Sequence, residues 1–222
     1  MSLSTTALHG LHEELGGRLV DFAGWELPVQ FAGIIAEHQH TRKSASLFDV
    51  SHMGQVLIYP ESGNLADAAA ALETLIPASV AGLKEGRQRY GLFTDENGGV
   101  LDDLMFANHG DRYFLVVNAA RSDHDLGLLR TLEGVTVEHI TDRSLLALQG
   151  PRAEETLAGL IPDAAGLRFM DSRILDWDGV TVWVSRSGYT GEDGFEISVP
   201  SAEAERLASA LLGIGWMLPA GL

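Results

Sequence analysis

Four stretches of the chain gather acids, glycines and aromatic residues in turn-like sequence, where backbone and side chains can meet a ligand. They are Asp21-Phe22-Ala23-Gly24-Trp25-Glu26-Leu27-Pro28, Phe48-Asp49-Val50-Ser51-His52-Met53-Gly54, Gly98-Gly99-Val100-Leu101-Asp102-Asp103-Leu104, and 186–196. In the third, Asp102 and Asp103 open an apolar strand directly after a turn. Adjacent strand residues point to opposite faces, so at most one of the two faces a given pocket. A carboxylate there can accept a hydrogen bond from an amine or steer a proton. The alternative is an aspartate that simply closes a hairpin end. In the fourth, three glycines and three acids surround Tyr189. Glu196, on the strand that follows, is a natural two-point acceptor for an amino-imine edge such as that of a pterin or guanine. The competing reading is a long hairpin loop with a solvated acidic tip.

Other chemistries are disfavoured by residue type and spacing. The chain has no cysteine, which removes thiolate metal sites, disulfides and a cysteine nucleophile. His38 and His40 stand two apart on a predicted helix and point to different faces, so no metal site is expected there. His52 lies beside Asp49 and Ser51, but no G-x-S-x-G elbow accompanies them, and a structural histidine bonded to backbone is the expectation. Neither a P-loop nor a G-x-G-x-x-G fingerprint occurs. The 31 acidic and 15 basic residues give a net charge of −16, which argues against a general nucleic-acid binder. No apolar run approaches the roughly 20 residues that span a bilayer. The first residues lack the features of a signal or transit peptide, so a cytoplasmic protein without membrane contact is expected.

The elements that must position these residues follow from periodicity and turn chemistry. Helices are expected over 33–46, over 64–75 up to Pro77, after a cap at Ser122 or Asp123, from Pro151, and after a cap at Ser201. Strands are expected over 55–59, 89–94, 100–107, 112–118, 135–140, 145–149, 173–177, 180–186 and 195–199. The turns Asp95-Glu96-Asn97-Gly98-Gly99 and Asp178-Gly179 make hairpins of four of them. Hairpins interrupted by single helices favour an α+β class, with antiparallel sheets flanked by helices. Residues 55–150 are expected to close as one module, and 1–54 with 151–222 as a second, discontinuous one.

At this point a family resemblance becomes specific. The segments VDFAGWELPVQF, LFDVSHMGQ, YGLFTDENGGVLDDL, FLVVNAA, ALQGP and SRSGYTGEDGFEI stand in the order found in the T-protein of the glycine cleavage system, an aminomethyltransferase. The resemblance implies that family's folate-binding fold. It also implies transfer of a one-carbon unit from the aminomethyl-lipoyl arm of H-protein to tetrahydrofolate, with release of ammonia. The family's key aspartate is the second acid of its Gly-Gly-Ile-Leu-Asp-Asp motif, which falls on Asp103. Folate contacts are implied at Tyr90, Asn118, Tyr189 and Glu196, with Val117 and Met53 lining the same region. Lipoylated H-protein and tetrahydrofolate are the implied partner and substrate. Pro219-Ala220-Gly221-Leu222 resembles the start of the family's Gly-Ala-Arg-Asp run. The chain is therefore expected to be an N-terminal portion that stops before the family's C-terminal barrel domain. Relatives often carry a tyrosine where this chain has Ala107. Folate-dependent demethylating domains are similar but usually read Ser-Tyr-Thr-Gly-Glu-Leu-Gly, against Gly188-Tyr189-Thr190-Gly191-Glu192-Asp193-Gly194 here. Iron–sulfur assembly relatives carry a Lys-Gly-Cys-Tyr motif, which a cysteine-free chain lacks. A noncatalytic folate- or H-protein-binding fragment is the alternative from another class.

Overall fold

A computed structural model describes residues 2–222. In chain order the elements are α1 (His9–Glu14), β1 (Leu19–Phe22), β2 (Trp25–Pro28), α2 (Ile34–Lys43), β3 (Ala45–Asp49), β4 (Gly54–Pro60), α3 (Leu65–Leu72), β5 (Gln88–Thr94), β6 (Val100–Asn108) and β7 (Tyr113–Val117). They continue with α4 (Ser122–Leu129), β8 (Val135–Ile140), β9 (Arg143–Gln149), α5 (Ala153–Leu160), β10 (Ser172–Trp177), β11 (Val180–Ser185), β12 (Gly194–Pro200), α6 (Ser201–Leu212) and β13 (Met217–Pro219). Two compact units result. One comprises residues up to His52, Asp142–Phe169 and Ile174–Leu222; the other comprises Met53–Thr141 with Met170–Arg173.

The second unit is a five-stranded sheet in the order β5-β6-β7-β4-β8, antiparallel throughout. Alternation assigns its faces. Leu104, Phe106, Leu115, Val117, Val56 and Ile58 point to one side, where Ala68, Ala69 and Leu72 of α3 and Leu126 and Leu129 of α4 complete a core. Asn64 caps α3 by accepting from the Ala66 amide at 3.2 Å. In the β5–β6 hairpin, Asp95 Oδ1 accepts from the amides of Asn97 and Gly99 at 2.8 Å each, and Gly98 takes φ +79°. Phe93 pairs with Asp102 but Thr94 with Val100, so Leu101 is an extra, bulged residue just before the two acids.

The first unit holds a six-stranded sheet, β10-β11-β12-β9-β3-β13, and the β1–β2 hairpin. The β11–β12, β12–β9 and β9–β3 pairs are antiparallel; β13 joins β3 in parallel. Ala153 and Leu157 of α5 and Ala204, Leu207, Ala208 and Leu211 of α6 bury their apolar stripes against Leu146, Leu148, Val182, Val184, Phe195 and Ile197.

Several expectations are corrected. The first helix ends at Lys43, and residues 45–49 form strand β3. Ser201 is the first residue of α6 and Ser122 the first of α4; neither makes a side-chain cap, and α4 is entered through a 3₁₀ turn at Ala119–Arg121. Pro151 lies in a turn two residues before α5. Strand 145–149, assigned by chain order to the central module, pairs instead with β12 and β3 of the six-stranded sheet. Its run Leu145-Leu146-Ala147-Leu148 suits a central strand covered on both sides, a pattern that does not say which sheet receives it. Met53 and Gly54, assigned to the first module, lie with the second unit. The β1–β2 hairpin was not foreseen, because its turn places a non-glycine, Ala23, at φ 52° ahead of Gly24 at φ 84°.

Candidate active site

The register of the five-stranded sheet decides between the two adjacent acids. Asp103 pairs with Leu92 and Met105 with Tyr90, so Tyr90 and Asp103 are diagonal neighbours on the face away from the helices. Leu104 pairs with Val117, and Val117 with Gly54. Continuing each register by one residue sets Asn118 beside Asp103 and Met53 beside Asn118. Tyr90, Asp103, Asn118 and Met53 thus form a row across four strands. Asp102 has the opposite parity and points to the helix side with Leu104 and Phe106.

Hydrogen bonds tie the row together. Asn118 Nδ2 donates to Asp103 Oδ1 at 2.7 Å, to the Asp103 carbonyl at 3.2 Å and to Asp102 Oδ1 at 3.1 Å. Asn118 lies just past the end of β7, which lets one amide reach acids on both sides of β6. The Tyr90 phenol bonds to Asp103, and that bond is the first cause that holds its pKa above 10; slight desolvation and the charges of Asp103 and Asp102 add to it. Its ring is 46% exposed and free to lie against a planar ligand. Asp103 and Met53 are half-buried at the same face. A carboxylate with one amide and one phenol on it keeps lone pairs for an incoming N–H. Val117 does not line this face: its side chain is fully buried in the core with Leu104. Parity is the reason, since Val117 and Asn118 are neighbours on one strand.

Tyr189 and Glu196 belong to the first unit. Glu196, on β12, accepts from Ser187 Oγ at 2.5 Å. Burial raises its carboxyl above the usual range, and the Ser187 bond works against that rise. Gln149 straps the loop before it, donating to the Ser187 carbonyl and accepting from Thr190 Oγ1, both at 2.8 Å. A Cβ at Gly188, where φ is +156°, or at Gly194 would stand 2.0 and 2.3 Å from the Gln149 amide. These glycines therefore serve the strap. The acids of the loop are paired internally: Asp193 takes Arg186 at 2.9 and 2.5 Å, and Glu192 takes Arg42 at 3.0 Å. Tyr189, 70% exposed, stands beside a cavity of about 360 Å³ that Val29, Arg42 and Phe48 also line.

The His52 ring meets Phe22 edge-on with centroids 5.5 Å apart, and its Nδ1 is buried with no hydrogen-bond partner among the described residues, so the expected bond to backbone is not found there. Asp49 is occupied by Thr6 Oγ1 at 2.6 Å, His12 Nε2 at 3.3 Å and the Ser51 amide at 3.0 Å. Ser51 Oγ donates to the Leu145 carbonyl at 3.2 Å. Burial lowers the pKa of both His12 and His52. Among the described residues, no group of three or more His, Cys, Asp or Glu is arranged to hold a metal ion. No helix among them is long and apolar enough to cross a membrane. Two contributors escaped the sequence reading. Gln149 is visible in the sequence only as part of ALQGP, and Asp125, buried on α4 near Asp102, carries no sequence signal of its own.

Comparison with known proteins gives the family and the fold. The model of the GCVT N-terminal domain family matches residues 8–222. The mitochondrial aminomethyltransferase of Dictyostelium discoideum is 41% identical over 223 residues, spanning 95% of this chain and 54% of that protein. The aminomethyltransferase of Deinococcus deserti is 40% identical over 230 residues, spanning 100% of this chain and 62% of that one. The solved structure of glycine cleavage system aminomethyltransferase T from Bartonella henselae matches with a TM-score of 0.90 at 38% identity, covering 99% of this chain and 60% of that one. The chain thus spans about three-fifths or less of the length of these aminomethyltransferases. With a family model fitted over nearly its whole length and the α+β fold in common, the chain belongs to the GCVT N-terminal domain family, that of the glycine cleavage aminomethyltransferases.

Proposed function

We propose that the Asp103 face of the five-stranded sheet serves the transfer of a one-carbon unit from aminomethyl-lipoyl H-protein to tetrahydrofolate. The observation that carries this reading is the row Tyr90–Asp103–Asn118, with the carboxylate held between a phenol and an amide. The methylene carbon leaves one sulfur and one amine nitrogen and becomes bonded to two folate nitrogens. The two N–H protons lost by folate go to the departing ammonia and to the lipoyl sulfur. A carboxylate near the attacking nitrogen accepts its N–H and orients its lone pair toward the carbon. In this reading Tyr90 offers its exposed ring to the flat pterin or aryl part of folate, and Met53 supplies an adaptable apolar contact. Turnover of aminomethylated H-protein and tetrahydrofolate, read as ammonia released, tests it directly. Ammonia release at the wild-type rate by the Asp103→Asn variant would end this assignment.

Glu196 carries a separate expectation. A carboxylate that accepts from the amino-imine edge of a pterin makes a charge-assisted bond, and its loss costs about 1.5–3 kcal/mol. Glu196→Gln is expected to weaken tetrahydrofolate binding about tenfold or more. Because burial raises the Glu196 pKa, its charge is lost on acidification sooner than that of a free glutamate. Wild-type affinity should therefore fall as pH drops through the raised value, and the glutamine variant should lack that slope. Isothermal titration at several pH values checks both. Equal affinity in the two proteins would remove Glu196 from the folate contacts.

A further inference from the structure

The helix side of β6 carries a second carboxyl cluster that the proposed chemistry does not use. Asp102 points there, toward α4. The side chain of Asp125 on α4 is fully buried, and its Oδ1 contacts His124 Nδ1 at 3.0 Å. The Asp102 carboxyl lies near enough to that of Asp125 to act on its protonation. The Oδ2 atom of each is sealed from solvent, and among the described residues neither has a conventional donor. Two carboxylates this close cannot both stay comfortably ionised, because like charges repel and water is excluded. One proton between them removes the repulsion and supplies the missing donor. Burial lifts the Asp125 pKa to about 6; the His124 contact opposes that rise, and the nearby Asp102 carboxyl and its charge add to it. Asp102 Oδ1 meanwhile competes with Asp103 Oδ1 for the Asn118 amide, at 3.1 against 2.7 Å.

We propose that Asp125 is a positioning residue for Asp103: it shares a proton with Asp102 and, through Asn118, couples that proton to the orientation of the Asp103 carboxylate. With the proton in place, Asp102 has its charge partly neutralised, and the Asn118 amide leans to Asp103. When the proton leaves, two charges sit on the Asp102–Asp125 pair, and the amide is drawn toward Asp102. The titratable and charged groups around this chain are Asp102 and Asp103 on β6, His124 and Asp125 on α4, and Arg121, whose guanidinium reaches the Leu101 carbonyl at 3.5 Å. The inference deepens the site reading and rests on it for its functional meaning; the coupling itself does not depend on turnover.

The test is a side-chain NMR titration of the folate-free protein from pH 4 to 8. The Asn118 amide resonances are expected to move with a midpoint near 6. In Asp125→Asn, which keeps a donor toward Asp102, they should stay at the low-pH position throughout. In His124→Gln the transition should persist, which separates the carboxyl pair from the neighbouring histidine. Carboxyl-carbon shifts of the wild type provide a readout that needs no folded variant: one aspartate carboxyl should titrate near 6, in step with Asn118. A flat Asn118 signal in the wild type, a transition retained in Asp125→Asn, loss of the transition in His124→Gln alone, or aspartate carboxyls that all titrate near 4 would each overturn the coupling. Full turnover by Asp103→Asn would instead sink the site reading while leaving this titration in place.

Discussion

Asp103→Asn is expected to lower turnover of aminomethylated H-protein with tetrahydrofolate by about 10²- to 10⁴-fold, the usual worth of a positioned acid or base. Tetrahydrofolate affinity should change much less, by under about tenfold. Asparagine occupies nearly the same volume and can still bond the Asn118 amide and the Tyr90 phenol through its carbonyl oxygen. What it loses is the negative charge that an attacking N–H meets as its nitrogen gains positive character. An interaction made mainly in the transition state appears in kcat rather than in binding. The measurement is steady-state ammonia release beside equilibrium folate binding. A large loss of affinity with kcat retained would make Asp103 a binding residue instead.

The second large effect concerns stability and comes from His109 at the β6–β7 turn. Its ring stacks on Phe114, with centroids 5.5 Å apart, and its Nε2 lies 3.1 Å from Ser172 Oγ. Burial depresses its pKa to about 4; Arg112 pushes the same way and Asp111 opposes. An unfolded histidine titrates near ~6.5. Between those values the unfolded chain binds the extra proton and the folded one does not, so stability rises with pH across that window. The sign is therefore loss on acidification, beginning near pH 6.5 and complete near pH 4, of about 3 kcal/mol. His109→Gln should remove this rise with pH and leave the opposite, smaller slope that the raised Asp125 pKa gives the second unit. Hydrogen exchange of the β6 and β7 amides at pH 7 and pH 4.5 reads it without interference from His12 and His52, which lie in the first unit. Equal pH dependence in the variant would show that His109 is not the proton acceptor.

Much of the site was legible because its parts are local. The turn 95–99 announces itself by Asn-Gly and by an aspartate that caps its own loop, and it delivers β6 with Asp102 and Asp103 at its start. Which acid faces the open side was not legible from spacing, because the choice depends on cross-strand register next to a bulge at Leu101. Val117 was misplaced for the related reason that one residue of slip exchanges core and site. The partnership of Asp102 with Asp125 joins a strand start to a helix 23 positions along the chain, and no periodicity reports such a contact. Likewise, strand β9 has the composition of any buried strand. Only its hydrogen bonds to β12 and β3 place it in the six-stranded sheet. The glycines of the Tyr189 loop suggested a ligand approaching the backbone. At Gly188 and Gly194 the close approach is made by Gln149 of the protein itself.

The central claim is that tetrahydrofolate lies on the Asp103 face of the five-stranded sheet. Methyl NMR of the methionines addresses it with few signals. Met53 and Met105 share that face by register, whereas Met217 is buried in the core of the first unit. Saturating tetrahydrofolate is predicted to shift the Met53 and Met105 methyl resonances and to leave Met217 in place. Folate bound at saturation with the Met53 and Met105 signals unmoved would contradict the account.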